Sequence, residues 1–281
     1  MKWYIDMKIK VVMKWVKKAI VLLFAFIYLS PLYIAVVNSI KPYAEVIKNP
    51  VGLPTVPTFE NFAEAYQTSE IFQLYLNSIY ITVVSVVLLV VLSSMAAYII
   101  ARRSGKISQI LYVFGLAGIM VPPVVTLVPS INTLKTLGVL YSPVGLFLFY
   151  AGTFFSTALF LYVQFIKTIP KDLDEAAIVD GASTVGVFFK IIFPLARPCT
   201  ATTVIFLSMW IWNDFLNPMY ILGTKGGRTI TTGIYTSIGA LTSKWNLVFA
   251  NVILASLPIV ILYLCMQKQF MKGMTSGAIK G

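Results

Sequence analysis

Long uncharged runs, rather than a two-residue or helical alternation, organise this sequence. Such runs separate Lys18 from Lys41, Glu70 from Arg102, Lys106 from Lys135, Lys135 from Lys167 and Lys244 from Lys268. Each is longer than the about 20 apolar residues with which a helix crosses a bilayer. A further run, from Cys199 to Gly223, holds one charge, Asp214. The pattern predicts an all-α membrane protein of six transmembrane helices, at about 19–39, 77–101, 108–129, 143–166, 198–220 and 246–267. Together they make a single transmembrane domain, 19–267, between a basic arm, 1–18, and a short tail, 268–281. The longest connection, 40–76, carries Pro50, Pro54 and Pro57, and the stretch from Thr58 to Tyr66 reads as a turn into a short helix. Pro122-Pro123 falls inside the third span, where a proline pair removes helix hydrogen bonds and forces a kink. That kink is either a bend beside a pathway or a static packing feature.

Composition removes the soluble alternatives. Hydrophobic residues are 58% and charged residues 11%, against roughly 25% charged in a soluble domain, and the mean hydropathy is +0.86. The net charge of +12 would suggest nucleic acid in a soluble protein. Here the arrangement of the charges explains it without a nucleic-acid partner. An even number of spans puts both termini on one side. On that side lie the arm with Lys2, Lys8, Lys10, Lys14, Lys17 and Lys18, the 2–3 loop with Arg102, Arg103 and Lys106, the 4–5 loop (167–197), and the tail. Only Lys41, Lys48, Lys135, Lys225, Arg228 and Lys244 fall on the other. Cationic loops stay in the cytoplasm, so both termini are expected there, in a multi-pass cell (inner) membrane protein. Ser30-Pro31-Leu32 and Val37-Asn38-Ser39 are poor cleavage sites, so the first helix reads as uncleaved, preceded by an arm that lies at the lipid interface.

Candidate chemistry is sparse. Histidine is absent, which removes the commonest general base and metal ligand. Cys199 and Cys265 have no metal-site spacing, and neither falls in an external loop, so no disulfide is expected. Four of the ten acids cluster in the 4–5 loop, at Asp172, Asp174, Glu175 and Asp180. Pro170 followed by three acids gives a helix start, where negative charge meets the positive end of the macrodipole. Gly181 permits a turn into a second short helix. The result is a helix–turn–helix tied at both ends to membrane helices, a handle by which a partner would move spans four and five. The plainer alternative is an ordinary polar loop that is helical.

The spacing Glu175-Ala176-Ala177, three residues, Gly181, nine residues, Ile191-x-Phe193-Pro194 resembles the EAA motif of ABC importer permeases, with Phe193 where leucine is usual. Asp180-Gly181-Ala182, Trp212-Asn213-Asp214-Phe215 with Pro218, and the ending Gly273-Met274-Thr275-Ser276-Gly277-Ala278-Ile279-Lys280-Gly281 are similar to the carbohydrate branch, the maltose-type permease subunits above all. The resemblance implies the type I ABC importer permease fold and a role as the transmembrane subunit of a binding-protein-dependent importer for a sugar or oligosaccharide. It further implies a second, distinct permease subunit, two ATPase subunits and an extracytoplasmic solute-binding protein. In that family Glu175, Ala176, Ala177, Asp180, Gly181 and Ala182 would contact the ATPase. Gly273, Gly277 and Lys280 of the tail would reach between the ATPase subunits; the alternative for the tail is a frayed terminus.

This chain has no GxxxxGK[ST] loop, and the nearest run, Gly223 to Thr229, lacks the spacing. ATP and Mg²⁺ therefore belong to the partner ATPase, and no cofactor, metal or catalytic residue is expected here. Asp214 is the single charge within a span and is placed near its outer end. With Asn213, Pro122 and Pro123 it is either a pathway or gate group for a hydroxylated solute, or with Asn213 and Trp212 an interfacial cap. The 5–6 loop, about 222–245, faces a solute-binding protein in the resembling family, and Tyr235 and Trp245 suit such a surface; otherwise they are interfacial aromatics. Other importer solutes, glycerol phosphate or an amino acid, remain alternatives. A stand-alone secondary transporter or a membrane enzyme would need buried ionisable groups that the spans lack.

Overall fold

A computed structural model describes the backbone of residues 2–68, 70–240 and 244–278, and side chains over 13–68, 70–236 and 244–267. Every regular element among them is helical. The chain divides into two compact units, residues 1–70 with 236–255, and residues 71–235 with 256–281.

The first unit begins with α1 (Lys2–Ser39), followed by α2 (Tyr43–Lys48) and α3 (Glu60–Thr68). The basic arm is thus continuous with the first span, since neither glycine nor proline interrupts the chain before Pro31. Pro31 leaves the carbonyl of Ile27 without its usual donor, and the Ser30 hydroxyl donates to it at 2.8 Å. Over its membrane-length part, Met13–Ser39, only 6% of the most apolar window is buried. Lys41 is fully buried, and its Nζ donates to the carbonyls of Asn49 (2.7 Å) and Gly52 (2.5 Å), closing the proline-rich connection. The turn and short helix expected from Thr58 onward form. Asn61 Nδ2 ties α3 to the carbonyls of Ser39 and Lys41, each at 2.8 Å.

The second unit holds α4 (Ile71–Arg102), α5 (Lys106–Ala117), α6 (Pro123–Thr136) and α7 (Pro143–Ile166). There follow α8 (Asp172–Val179), α9 (Thr184–Val187), α10 (Phe193–Leu195), α11 (Arg197–Asn213) and α12 (Leu216–Ile221). Two further helices, α13 (Ile230–Ala240) and α14 (Trp245–Ala278), run across the division between the units. The core packs α4 against α7, with Leu89, Tyr150, Leu159 and Tyr162 almost fully buried. The tail continues α14 helically past Gly273 and Gly277; their surroundings, and Lys280 altogether, lie outside the described residues.

Among the described residues four helices are individually long and apolar enough to cross a membrane: Met13–Ser39, Ile71–Arg102, Pro143–Ile166 and Trp245–Gln267. The expected third and fifth spans are broken rather than continuous. The third bends by 104° between Met120 and Pro123, and the segment leading into the fifth bends by 76° between Leu195 and Arg197. The first break is sharper than a kink for a local reason. A residue before proline is pushed out of the α region, and here two stand in succession: Val121 (φ −91°, ψ 115°) and Pro122 (φ −63°, ψ 130°) are both extended. The fifth helix ends at Asn213, not near 220, because Asp214 is extended (φ −67°, ψ 128°) and α12 starts afresh. Both cysteines are free.

Candidate functional site

The elbow between α7 and α11 gathers most of the singled-out residues. Asp172, Asp174 and Glu175 occupy the first turn of α8, as the helix dipole favours. A helix of eight residues does not stand alone in water, and Asp174 supplies the tie. It is 7% exposed. Its Oδ2 lies 2.8 Å from Arg102 Nη2. Its Oδ1 accepts from Arg102 Nε at 3.2 Å and from the Tyr98 hydroxyl at 2.8 Å. The remaining guanidinium nitrogen, Nη1, donates to the carbonyls of Ile169 (2.9 Å), in the turn after α7, and of Ile166 (3.4 Å), the last residue of α7, which also accepts from Ile169 N at 3.1 Å.

α8 closes with a Schellman turn. Gly181 N donates to Ile178 O (3.0 Å), Ala182 N to Ala177 O (2.9 Å), and Gly181 takes φ +86°. Ser183 then caps α9 by accepting from Gly186 N at 3.1 Å. The second arm continues through a π-helical stretch, Phe188–Ile192, which buries Phe188 and Ile192. Phe188 meets the ring of Tyr98 at 5.5 Å.

Of the six residues expected at a partner surface, Glu175, Ala176, Asp180 and Gly181 are exposed. Ala177 and Ala182 turn half inward against the buried cluster. The exposed face carries apolar side chains that sequence reasoning did not assign: Leu173, Ile178, Val185 and Val179, the last 86% exposed. Exposed apolar side chains next to carboxylates are what a surface that receives a partner would present.

The first helix break meets the end of α11 at a second site. A cleft of about 590 Å³ is bordered by Gly118, Val121 and Pro123 at that break, Thr153 and Thr157 on α7, and Trp210, Asn213, Asp214 and Asn217 where α11 gives way to α12. Pro123, Asn213 and Asp214 therefore share one cleft, whereas Pro122 is not in its wall. Asp214 is half-buried and joins three elements. It accepts from the Tyr150 hydroxyl at 2.9 Å, from Asn217 Nδ2 at 2.8 Å and from Asn217 N at 3.3 Å, while its carbonyl accepts from Thr231 Oγ1 at 2.7 Å. It is thus a cap for α12 and a cleft group at once. Tyr150, Phe154 and Trp210 stack in sequence, at 5.7 and 5.3 Å. Beyond the cleft, Asn77 Nδ2 holds the carbonyl of Arg228 (3.1 Å) and Ser78 Oγ accepts from Ile230 N (2.7 Å). The start of the 5–6 loop is therefore anchored on α4, and Tyr235, exposed, packs on Phe215 at 4.8 Å.

Among the described residues no group of three or more His, Cys, Asp or Glu could hold a metal. The arrangement can bind a solute through hydroxyls, amides and a carboxylate beside aromatic rings, and it can receive a partner on the elbow. Arg102, Tyr98 and Tyr150 were not marked by sequence. Each reads locally as a loop cation or a span aromatic, and its partner lies 64 or more positions away.

Comparison with known proteins follows the same lines. The family model for "Binding-protein-dependent transport system inner membrane component" matches residues 90–276. A probable permease for starch degradation products, AmyC of Thermoanaerobacterium thermosulfurigenes, is 33% identical over 91% of this chain and 93% of its own. The melibiose/raffinose/stachyose import permease MelC of Bacillus subtilis is 33% identical, over 89% and 91%. The multiple sugar-binding transport permease MsmG of Streptococcus mutans is 34% identical, over 90% and 92%. A chain of a bacterial ABC transporter that imports the acidic polysaccharide alginate superposes with a TM-score of 0.81 at 21% identity, covering 92% of this chain and 96% of that one.

Proposed function

The chain belongs to the binding-protein-dependent transport system inner membrane components, and from that membership we propose that it is the permease subunit of an ATP-driven importer for a sugar or oligosaccharide. In this reading the chain crosses the membrane six times with both termini in the cytoplasm. The broken third span counts as one crossing and α11 with α12 makes the fifth, and the unequal distribution of Lys and Arg supports that orientation. A second, distinct permease subunit completes the pathway, and an extracytoplasmic binding protein delivers the solute. Two ATPase subunits, holding ATP and Mg²⁺, drive it from the cytoplasm. No phosphate loop occurs in this chain, so the energy enters through contact.

The observation that carries the reading is the elbow: a capped, anchored helix–turn–helix with Glu175, Ala176, Asp180 and Gly181 exposed beside Ile178 and Val179. Closure of the ATPase subunits pushes on this face, and the helix–turn–helix transmits the push to the membrane helices. Ala177 and Ala182 support the face from below. The tail glycines, Gly273 and Gly277, and Lys280 extend the contact to the ATPase pair. The cleft between the first break and the end of α11, with Pro123, Asn213 and Asp214 in its wall and Pro122 next to it in the chain, is this subunit's contribution to the solute pathway. Asn213, Asn217, Thr153 and Thr157 offer hydrogen bonds to a polyhydroxylated solute, and the Trp210 ring offers an apolar edge. The relatives' names favour saccharides over an amino acid or glycerol phosphate.

Reconstitution tests this. The chain is placed in liposomes with and without its ATPase, partner permease and binding protein, and labelled oligosaccharide uptake is followed. Uptake that requires all of these and ATP is expected. Solute movement by the chain alone would instead mark a secondary transporter. The hub at Asp214 makes a smaller, separate prediction: Tyr150→Phe removes one hydrogen bond to a carboxylate and should lower stability by about 1–2 kcal/mol, read as a lower melting temperature of the purified complex.

A further inference from the structure

The elbow is tied through its side chains to α4, a helix that it does not join in sequence. Both arms grip the end of α4. The first arm does so through Asp174, whose two oxygens face Nη2 and Nε of Arg102, the last residue of α4. The second does so through Phe188, whose ring lies against Tyr98, one turn earlier on α4. Tyr98 closes the set by donating to the same Asp174 carboxylate. The Arg102 and Asp174 side chains are 12% and 9% exposed, so water screens the pair little.

We propose that Arg102, Asp174 and Tyr98 are positioning residues that weld the elbow to the last turns of α4, so that a push on α8 displaces α4 together with α7. This rests on the coupling role given above to residues 175–182. Three features support the weld. First, apart from the small half-buried Ala177, α8 is tied to its neighbours through the turn 167–171 and the Schellman turn at Gly181; a load on α8 would tend to swivel it about these two turns. Second, one planar guanidinium spans three elements: it ends α4, forks onto the first turn of α8, and holds the Ile166 and Ile169 carbonyls at the end of α7. An ammonium presents no such fork. Third, a buried ion pair is a weak source of stability compared with apolar packing, so geometry is the better account of its presence beside an otherwise apolar core.

The test uses the complete transporter in proteoliposomes and reads solute moved per ATP hydrolysed. Asp174→Asn removes the charge and keeps the shape. The double variant Arg102→Gln/Asp174→Asn removes both charges and leaves neither unpaired. Complexes that assemble should still hydrolyse ATP, but the transport ratio should fall about fivefold or more, the range of ordinary coupling between sites. Tyr98→Phe should move it the same way by less. A purely structural pair would lower the yield of complex and leave the ratio of the assembled fraction unchanged, and that result would overturn the weld.

If neither Asp174 variant assembles, spin labels on Arg103→Cys and Thr184→Cys, with Cys265→Ser, decide the matter. Their separation should be the same with and without a trapped ATP analogue, and a changed separation overturns the proposal. Glu175→Lys/Val179→Asp on the exposed face is the control. If it loses ATPase binding while the Asp174 variants transport normally, the weld alone fails. If it binds and couples normally, the coupling role itself fails and takes the weld with it.

Discussion

Valine at position 181 is expected to cut ATP-driven uptake by at least about tenfold, while the chain remains in the membrane at its usual level. Gly181 sits at φ +86° with nothing within 4 Å of an added Cβ. The cost is therefore one of backbone conformation and not of crowding. A non-glycine residue in the left-handed region costs roughly 1–2 kcal/mol, and a β-branched one is a clear outlier there. The Schellman turn at Ile178 and Ala177 would open, and the second arm would leave α8 at another angle. Asparagine tolerates this region, so Gly181→Asn should retain most uptake. Equal losses in valine and asparagine variants would mean that the face requires glycine for contact and not for its fold. Measurement is labelled-solute uptake in whole cells, normalised to the amount of chain in the membrane.

A second large effect is expected at Gly118→Val. Gly118 opens the 3-10 turn Gly118–Met120 before the first break, and an added Cβ there would run into Ser156 Oγ on α7. Gly115, one turn earlier, meets Leu159 at 2.6 Å in the same way. These two glycines let α5 and the 3-10 turn after it approach α7 closely, as small residues do between membrane helices. Overpacking of this kind costs about 1–3 kcal/mol, a large part of the net stability of a folded protein. The variant should give markedly less assembled complex and a lower melting temperature in detergent. Ser156→Gly in the same chain removes the obstacle and should restore much of both. Failure of that second change to help would show that the broken helix, not the close approach, is what position 118 serves.

Much of this was legible from charge alone. The runs bounded by Glu70 and Arg102 and by Lys135 and Lys167 contain the helices Ile71–Arg102 and Pro143–Ile166, because a membrane filters composition before packing does. Pro170, the acids and Gly181 likewise gave the elbow its start and its turn. The breaks were harder. Residues on either side of Pro122-Pro123 are equally apolar, so a search for uncharged runs passes straight through. The size of the bend follows only when both Val121 and Pro122 are seen to be excluded from the α region. At Asp214 the sequence left two readings, cap and pathway; the structure shows a cap for α12 that also lines a cleft, and the pathway role belongs to the proposal above. The Arg102–Asp174 pair was hidden for another reason. Each member already had a sufficient local explanation, one as a cytoplasmic cation and the other as a dipole-facing acid. Nothing in the linear order connects positions 72 apart.

The scant internal burial of α1 bears on how this chain can change over generations. A helix whose own chain covers so little of its surface takes its constraints from what surrounds the chain, lipid or the second permease subunit proposed above, and not from this chain's packing. Exchanges along residues 20–29 should therefore leave the fold of the single chain intact, whereas exchanges across the α4–α7 seam should disturb it. Apolar variants of residues 20–29 that still insert but no longer assemble would mark this face of α1 as the one that meets the second subunit.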